Sequence, residues 1–165
     1  MSTYTPIATQ TLSSAAASVT FSSIPQGYTD LVLVTNATST SGGSQSISIK
    51  VGNGSVDTGS NYSVTFLYGT GSSAASGRYS NVNYLYTGRV DNANIATGIT
   101  HFQNYSNTTT YKTVISRGSN ASAISIALVN LWRSTSPINI MELGIDGGYS
   151  FASGSTFTLY GILAA

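Results

Sequence analysis

Apolar residues in this chain recur at every second position, and this alternation constrains the fold more than any other feature. In the clearest run, Tyr62, Val64 and Phe66 alternate with Ser63 and Thr65. Successive side chains of a β-strand point to opposite faces, so the pattern predicts a strand with one buried face. Stripes with the period of a helix are absent, and the chain is therefore predicted to be all-β.

The same alternation predicts strands elsewhere along the chain. Their apolar positions are Ile47, Ile49 and Val51; Val82, Tyr84 and Tyr86; Ile124, Ile126 and Leu128; Ile138 and Ile140; and Phe157 and Leu159. Residues 31–34 are apolar throughout, which indicates a central strand covered on both faces. Gly, Ser, Asn and Asp clusters between these runs supply turns. About nine to eleven short strands at this spacing predict an antiparallel, jelly-roll-like β-sandwich, with a closed barrel as the alternative.

The length of 165 residues suits one domain with one core. Residues 13–165 are predicted to form a single β-sandwich domain, and residues 1–12 an extended N-terminal arm or first strand. Within the arm, Tyr4, Ile7 and Leu12 are separated by polar residues, a pattern that suits strand addition to a neighbouring sheet edge. The chain has two Lys and three Pro with which to protect sheet edges, so we expect partner subunits to cover them.

Charge and cysteine content exclude several classes of function. Charged residues make up 7% of the chain and the net charge is +1, which offers no electrostatic footprint for nucleic acid or for a membrane surface. No apolar run is long enough to cross a membrane, and no secretory signal is expected. The absence of cysteine excludes disulfides, and one His with no Cys leaves zinc short of ligands.

Two motifs have a catalytic interpretation and a structural one. Asp57, Thr58 and Gly59 match the Asp-Thr-Gly loop of aspartic proteases, where paired carboxylates share a proton. Ser55 stands where that family has a bulky apolar residue, which favours a plain turn. His101 is the sole histidine, so a Ser-His-Asp triad must include it, but no nucleophile motif accompanies it. We therefore expect no catalytic residues.

Calcium is the metal that this composition best suits, because it accepts carboxylate, amide and backbone oxygens. Asp91, Asn92 and Asn94 form one candidate loop, and Asp146 with Gly147 forms another. Neither has the spacing of an EF-hand, and ordinary turn chemistry accounts for both. We expect no metal site and no cofactor.

The 11 tyrosines are more informative than the charges, because Tyr combines a rigid ring with a hydroxyl and suits protein interfaces and sugar-stacking surfaces alike. Ordinary cross-strand packing is the alternative for many of them. Trp132 is interpreted as a core or interface anchor whose exposed side is capped by Arg133. The interface candidates are Tyr4, Ile7, Leu12, Tyr79, Tyr84, Tyr86, Tyr105, Tyr111, Trp132 and Arg133.

Five segments together carry a resemblance to a known family. They are FSSIPQGYTDLVLV (21–34), NYSVTFLYGTGSSAASGR (61–78), NYSNTTTYKTVISR (104–117), LWRSTSPIN (131–139) and GSTFTLYGI (154–162). In this order they resemble small virion structural proteins of tailed bacteriophages, especially those of cyanophages and other aquatic phages.

The resemblance implies a non-enzymatic component of the virion. The leading expectation is a homotrimeric decoration (cement) protein on the outer surface of the capsid, with the major capsid protein and further copies of itself as partners. The alternative is a tail-fibre or receptor-binding domain that recognises host-surface glycans. Binding to nucleic acid or membrane is not expected in either case.

Overall fold

The computed structural model describes residues 4–121 and 123–163, which form strands and no helix. The thirteen strands are β1 (Tyr4–Thr11), β2 (Ser18–Phe21), β3 (Asp30–Ala37), β4 (Gln45–Asn53), β5 (Ser55–Val56), β6 (Tyr62–Gly69), β7 (Ala74–Val82), β8 (Leu85–Val90), β9 (Ala96–Phe102), β10 (Lys112–Asn120), β11 (Ile124–Trp132), β12 (Ile140–Ile145) and β13 (Thr156–Ile162). The count exceeds the prediction because β5 is a two-residue strand and because residues 82–86, predicted as one strand, divide between β7 and β8.

The strands form two antiparallel sheets of unequal width. The eight-stranded sheet has the order β1-β13-β3-β9-β10-β11-β6-β7. In the five-stranded sheet β2, β12 and β4 are neighbours, and both β5 and β8 pair with β4. The predicted antiparallel β-sandwich is therefore confirmed.

The core lies between the two sheets. Leu31 and Leu33 of β3 face it together with Ile47, Ile49 and Val51 of β4, and each of these side chains is buried. On the outer face of β3, Val32 is buried as the apolar sequence predicts, whereas Val34 is only half-buried. Full burial of an aliphatic side chain contributes about 1.5 to 3 kcal/mol to the free energy of unfolding, so these inward residues are a main source of the stability of the fold.

The extra width of the larger sheet leaves β6 and β7 beyond the five-stranded sheet. Strand β8 closes part of this gap by packing beneath β10, where Gly88 and Gly118 approach closely. A Cβ atom on Gly118 would lie 3.5 Å from the Cα of Gly88, in van der Waals contact. The inner face of β6 and β7 is consequently covered only in part, by aromatic side chains described below.

The edge strands of the larger sheet differ in how they are protected. Strand β1 carries Pro6 and a register irregularity between Pro6 and Ala8, two devices that discourage further strand pairing. Strand β7 pairs with β6 on one side, and no described strand pairs with its other side. The β7 edge is thus available for pairing with another chain.

In this structure the N-terminal segment forms β1, the end strand of the larger sheet of the same chain. Residues 4–11 pair with β13 of the same chain, and Ile7 and Leu12 pack against the core. The first three residues of the predicted arm lie outside the described residues. Binding of the segment to a neighbouring molecule stays a prediction.

Deletion of residues 1–12 is expected to destabilise the isolated domain. Loss of the packing of Ile7 and Leu12 should cost about 2 to 4 kcal/mol, because both side chains are half-buried against the core. Thermal unfolding should then show Tm lower by roughly 4 to 16 °C. Thr11→Ser keeps the strand and serves as the control. An unchanged Tm in the deletion would mean that β1 adds nothing to the fold.

Candidate functional site

An apolar patch lies on the outer side of the larger sheet. Leu67, Val129 and Ile115 are 62%, 52% and 44% exposed. Ile115 lies directly opposite Val129 in the β10–β11 register, and Ala127 lies opposite Leu67 in the β11–β6 register. Directly opposed side chains have Cβ atoms about 4.5 to 5.5 Å apart, so these residues form a continuous surface. We call it the outer apolar face, defined by Leu67, Ile99, Ile115, Ala127 and Val129.

A shallow depression of about 510 Å³ lies within this face. Its sides are formed by Leu67, Ile99 and Ala127, and the backbones of Gly98 and Gly118 line it as well. Arg117 also lines the depression, and among residues 4–121 and 123–163 it forms no ion pair. The depression therefore offers apolar contact beside one available cation.

A second surface is aromatic and lies on the inner side of β6 and β7. Phe66 packs against three tyrosine rings, with centroid separations of 5.3 Å to Tyr79, 5.9 Å to Tyr86 and 6.3 Å to Tyr68. The Tyr79 ring remains 55% exposed. We call these four residues and Tyr84, which packs against the same cluster, the aromatic wall. It brings together three of the predicted interface candidates, Tyr79, Tyr84 and Tyr86.

The remaining interface candidates are dispersed. Tyr4 and Tyr111 are exposed on other parts of the surface, and Ile7 and Leu12 are half-buried. Tyr86, Tyr105 and Trp132 are buried within the chain and are not surface residues of this structure, and for Trp132 the burial matches the core alternative of its prediction. Tyr86 lies in β8 and Trp132 in β11, whereas Tyr105 lies in the turn after β9, and all three rings pack into the interior.

Asp57 belongs to a turn that fastens Trp132. Its carboxylate accepts hydrogen bonds from Trp132 Nε1 at 2.8 Å, Asn61 Nδ2 at 2.9 Å and Gly59 N at 2.8 Å. The Tyr62 ring stacks on Trp132 at 6.4 Å, and its hydroxyl donates to the Asp57 carbonyl oxygen at 2.8 Å. This geometry fits the interpretation of Asp57 as part of a plain turn, because its carboxylate accepts hydrogen bonds from residues of the same chain.

The pKa of Asp57 reflects two opposed effects. Burial raises the pKa of this carboxyl group, but the hydrogen bonds donated by Trp132, Asn61 and Gly59 outweigh burial and hold the pKa below its ordinary value. Burial raises the pKa of the nearby Tyr62 hydroxyl strongly. Asp57 is therefore an ionised structural acceptor, and Tyr62 is a neutral donor to the backbone.

Arg133 lies in the same region but does not cap Trp132, contrary to the prediction. Its guanidinium donates to the carbonyl oxygen of Ser60 at 2.6 Å and to Asn81 Oδ1 at 2.9 Å, joining the loop before β6 to the end of β7. Trp132 is only 2% exposed and has no exposed side to cap. Arg133 thus fixes the loops around the tryptophan.

His101 and Asp30 are hydrogen-bonded on the outer side of the larger sheet. His101 Nε2 lies 2.9 Å from Asp30 Oδ2, and Asp30 Oδ1 accepts from Asn104 N at 2.8 Å. Within the described part of the chain no hydrogen bond joins a serine hydroxyl to His101. The arrangement orients the histidine but contains no nucleophile.

Both candidate calcium loops use their carboxylates within turns. Asp91 Oδ1 accepts from Ala93 N at 2.9 Å and Asn94 N at 3.0 Å. Asp146 Oδ1 accepts from Gly147 N at 3.0 Å. In the described ranges no three His, Cys, Asp or Glu side chains come together in a group able to hold a metal ion.

Sequence reasoning missed a buried lysine. Lys112 is 1% exposed, and its Nζ donates to the carbonyl oxygens of Thr110 at 2.9 Å and Thr135 at 3.3 Å. Burial lowers the pKa of this amine. Lys112 begins β10 on the same buried face as Val114, and no local pattern could show this, because the segment around Thr135 that accepts a hydrogen bond from its amine is distant in sequence.

No helix in residues 4–121 or 123–163 has the length and apolar character needed to cross a membrane. No protein-family model, curated protein or solved structure matches the chain.

Replacing Asp57 with Asn is expected to destabilise the domain by about 1 to 3 kcal/mol at neutral pH, because a hydrogen bond from buried Trp132 to a charged acceptor is weakened. The lowered pKa stabilises the folded state above the ordinary carboxyl pKa, and this stabilisation is lost as the pH falls through the lowered value.

The measurement is urea unfolding of wild type and variant from pH 7 down to about pH 2, which spans the ordinary Asp pKa of about 3.9. The difference in unfolding free energy should be largest at pH 7 and shrink below about pH 4. Asp146→Asn is the matched control. A pH-independent difference would show that the charge of Asp57 is not what stabilises Trp132.

Proposed function

We propose that this chain is a non-enzymatic structural protein of a tailed-phage virion, a capsid decoration protein that binds major capsid subunits and stabilises the head. The observation that supports this most is the outer apolar face. Exposed contiguous apolar surface on a soluble domain marks a site of association. The virion and the capsid come from the family resemblance, and the surface supplies a physical means of binding.

The capsid subunit is the partner we assign to the outer apolar face. Burying Leu67, Ile115 and Val129 removes apolar surface from water at about 25 cal/mol per Å². Arg117, without an ion pair among the described residues, favours a partner surface that is apolar and carries a carboxylate. With only 7% charged residues, such binding depends little on salt.

A further copy of this chain is the partner we assign to the free edge of β7. The strand presents one row of unpaired backbone groups over nine residues, a length typical of a productive strand pairing. Pairing of that edge with a different edge of the next copy is a heterologous contact. Such contacts form a closed ring when the rotation from one copy to the next is a whole fraction of a full turn. A homotrimer is the ring size that we propose.

The second candidate is a tail-fibre or receptor-binding domain that recognises host-surface glycans. The aromatic wall favours it, because Tyr79 presents a largely exposed ring fixed against Phe66. Copy number separates the two candidates. Hundreds of copies on the head support decoration, and a few to tens at the tail support host recognition.

The assignment of the outer apolar face is tested with Ile115→Asp combined with Val129→Asp. Both side chains are exposed, so folding should be retained while binding to capsids falls by about tenfold or more, which corresponds to about 1.4 kcal/mol. The measurement is co-sedimentation with capsids of the parent phage that lack this protein. Circular dichroism verifies the fold.

Thr20→Asp is the control, because Thr20 is exposed on the other sheet. Equal co-sedimentation of the double variant and the wild type would contradict the assignment of this face. No binding by the wild type would contradict the decoration role itself.

A further inference from the structure

Tyr84 lies where two cavities adjoin at the side of the molecule. One, of about 50 Å³, is bounded by Phe66, Tyr79, Tyr86 and Arg89. The other, of about 300 Å³, lies over the outer face of the five-stranded sheet. Tyr84 lines both, so an aromatic cavity and a polar cavity share this side chain. We call the two cavities together the Tyr84 cleft, with an aromatic half and a polar half.

The polar half is built by adjacent strands and one turn. Ser48 and Lys50 of β4 and Glu142 of β12 project into it, and Asn83 contributes from the β7–β8 connection. Asp146 comes from the turn after β12. Gly147 and Gly148 in that turn have φ of 82° and 78°, which non-glycine residues adopt at a cost. This turn brings Asp146 to Tyr84.

The rings of the aromatic half are held before any ligand binds. Tyr86 packs edge-on against Phe66, and its hydroxyl accepts a hydrogen bond from Arg89 Nε at 3.0 Å. The Tyr84 hydroxyl donates to Asp146 Oδ2 at 3.4 Å. Rings fixed in this way lose little conformational entropy on binding, which strengthens affinity for a ligand that stacks on them.

The charges around the cleft balance each other. Lys50 lies directly opposite Glu142 in the β4–β12 register. The other two charged side chains are Arg89 and Asp146, which are already engaged by tyrosine hydroxyls. A balanced set of charges attracts neither an anion nor a cation selectively. It also lacks the continuous positive surface by which proteins follow a nucleic-acid backbone.

The chemistry of the two halves fits a pyranose ring. The C–H face of a sugar is apolar and stacks on an aromatic ring, and its hydroxyls require acceptors and donors such as carboxylates, amides and serines. The polar half has the volume of a small ligand site, which is roughly 300 to 1,000 Å³. A glycan of more than one ring would use both halves, with one ring at Asp146 and Asn83 and another on the exposed face of Tyr79.

We propose that the Tyr84 cleft binds an uncharged glycan, with Tyr79 and Tyr84 as stacking residues and Asp146 and Asn83 as hydrogen-bonding residues. This inference rests on the second candidate function, the recognition of glycans, and is independent of the decoration role.

The test is binding of the purified full chain to an array of neutral, sialylated and sulfated glycans, followed by calorimetry with the best neutral oligosaccharide. We expect the wild type to prefer neutral glycans. Tyr79→Ala and Asp146→Asn should each weaken binding by about tenfold, equivalent to about 1.4 kcal/mol. Tyr111→Ala is the matched control, because Tyr111 is similarly exposed but lies outside the cleft.

The outcomes separate the inference from the candidate function. No binding to any glycan overturns both. Binding that Tyr79→Ala and Asp146→Asn leave unchanged retains glycan recognition but overturns the cleft as its site. Preference for sialylated or sulfated glycans overturns an uncharged ligand. Tighter binding of a single-stranded oligonucleotide, lost in Tyr79→Ala, assigns the stacking rings to bases instead of sugars.

Discussion

Burial of apolar side chains between two sheets of unequal width is the interaction on which the rest of this structure depends. The chain has 11 charged residues, so long-range electrostatics contribute little to its stability. The inward residues of β3, β4 and β12 supply the core that both sheets share. Because one sheet is wider, its surplus strands cannot be buried in the same way. The aromatic wall arises from this mismatch, and the free β7 edge is the end of the wider sheet.

The few charged groups act locally, as hydrogen-bonding groups that fix loops. Asp57 fastens Trp132, Asp91 closes its own turn, and Asp146 contacts Tyr84. Lys112 is buried against backbone carbonyl oxygens. This use of charge leaves the strand faces to aliphatic, aromatic and hydroxyl side chains. The outer apolar face and the Tyr84 cleft therefore depend mainly on shape, apolar contact and hydrogen bonding, and the β7 edge depends on backbone hydrogen bonds.

Alternation in the sequence was sufficient to predict the fold class and the buried faces of single strands. Residues 47–51 and 62–68 show their inward and outward positions as predicted, because the period of two is a property of one strand. Alternation does not report which sheet a strand joins. Residues 82–86 therefore looked like one strand, although the chain there passes from the larger sheet to the smaller one at Tyr84.

Parts of the candidate sites depend on contacts between distant residues, which no local pattern records. Asp57 and Trp132 are 75 positions apart, and Tyr84 and Asp146 are 62 apart. The predicted interface candidates include three tyrosines of the aromatic wall, but composition does not separate them from Tyr105, which is buried in the core. Side-chain type indicated the kind of contact, and only the packing of the sheets decided which rings stay exposed.

The pairing of β1 with β13 places Tyr4 beside Ile162. These residues lie at the margin of the larger sheet opposite β7, across eight strands spaced about 4.8 Å apart, or roughly 34 Å. A fluorescent label or immobilisation tag attached near either residue would project from that margin, remote from the β7 edge. The same proximity makes a circular permutant practicable, since a short linker can join the two positions while new termini open in an exposed loop.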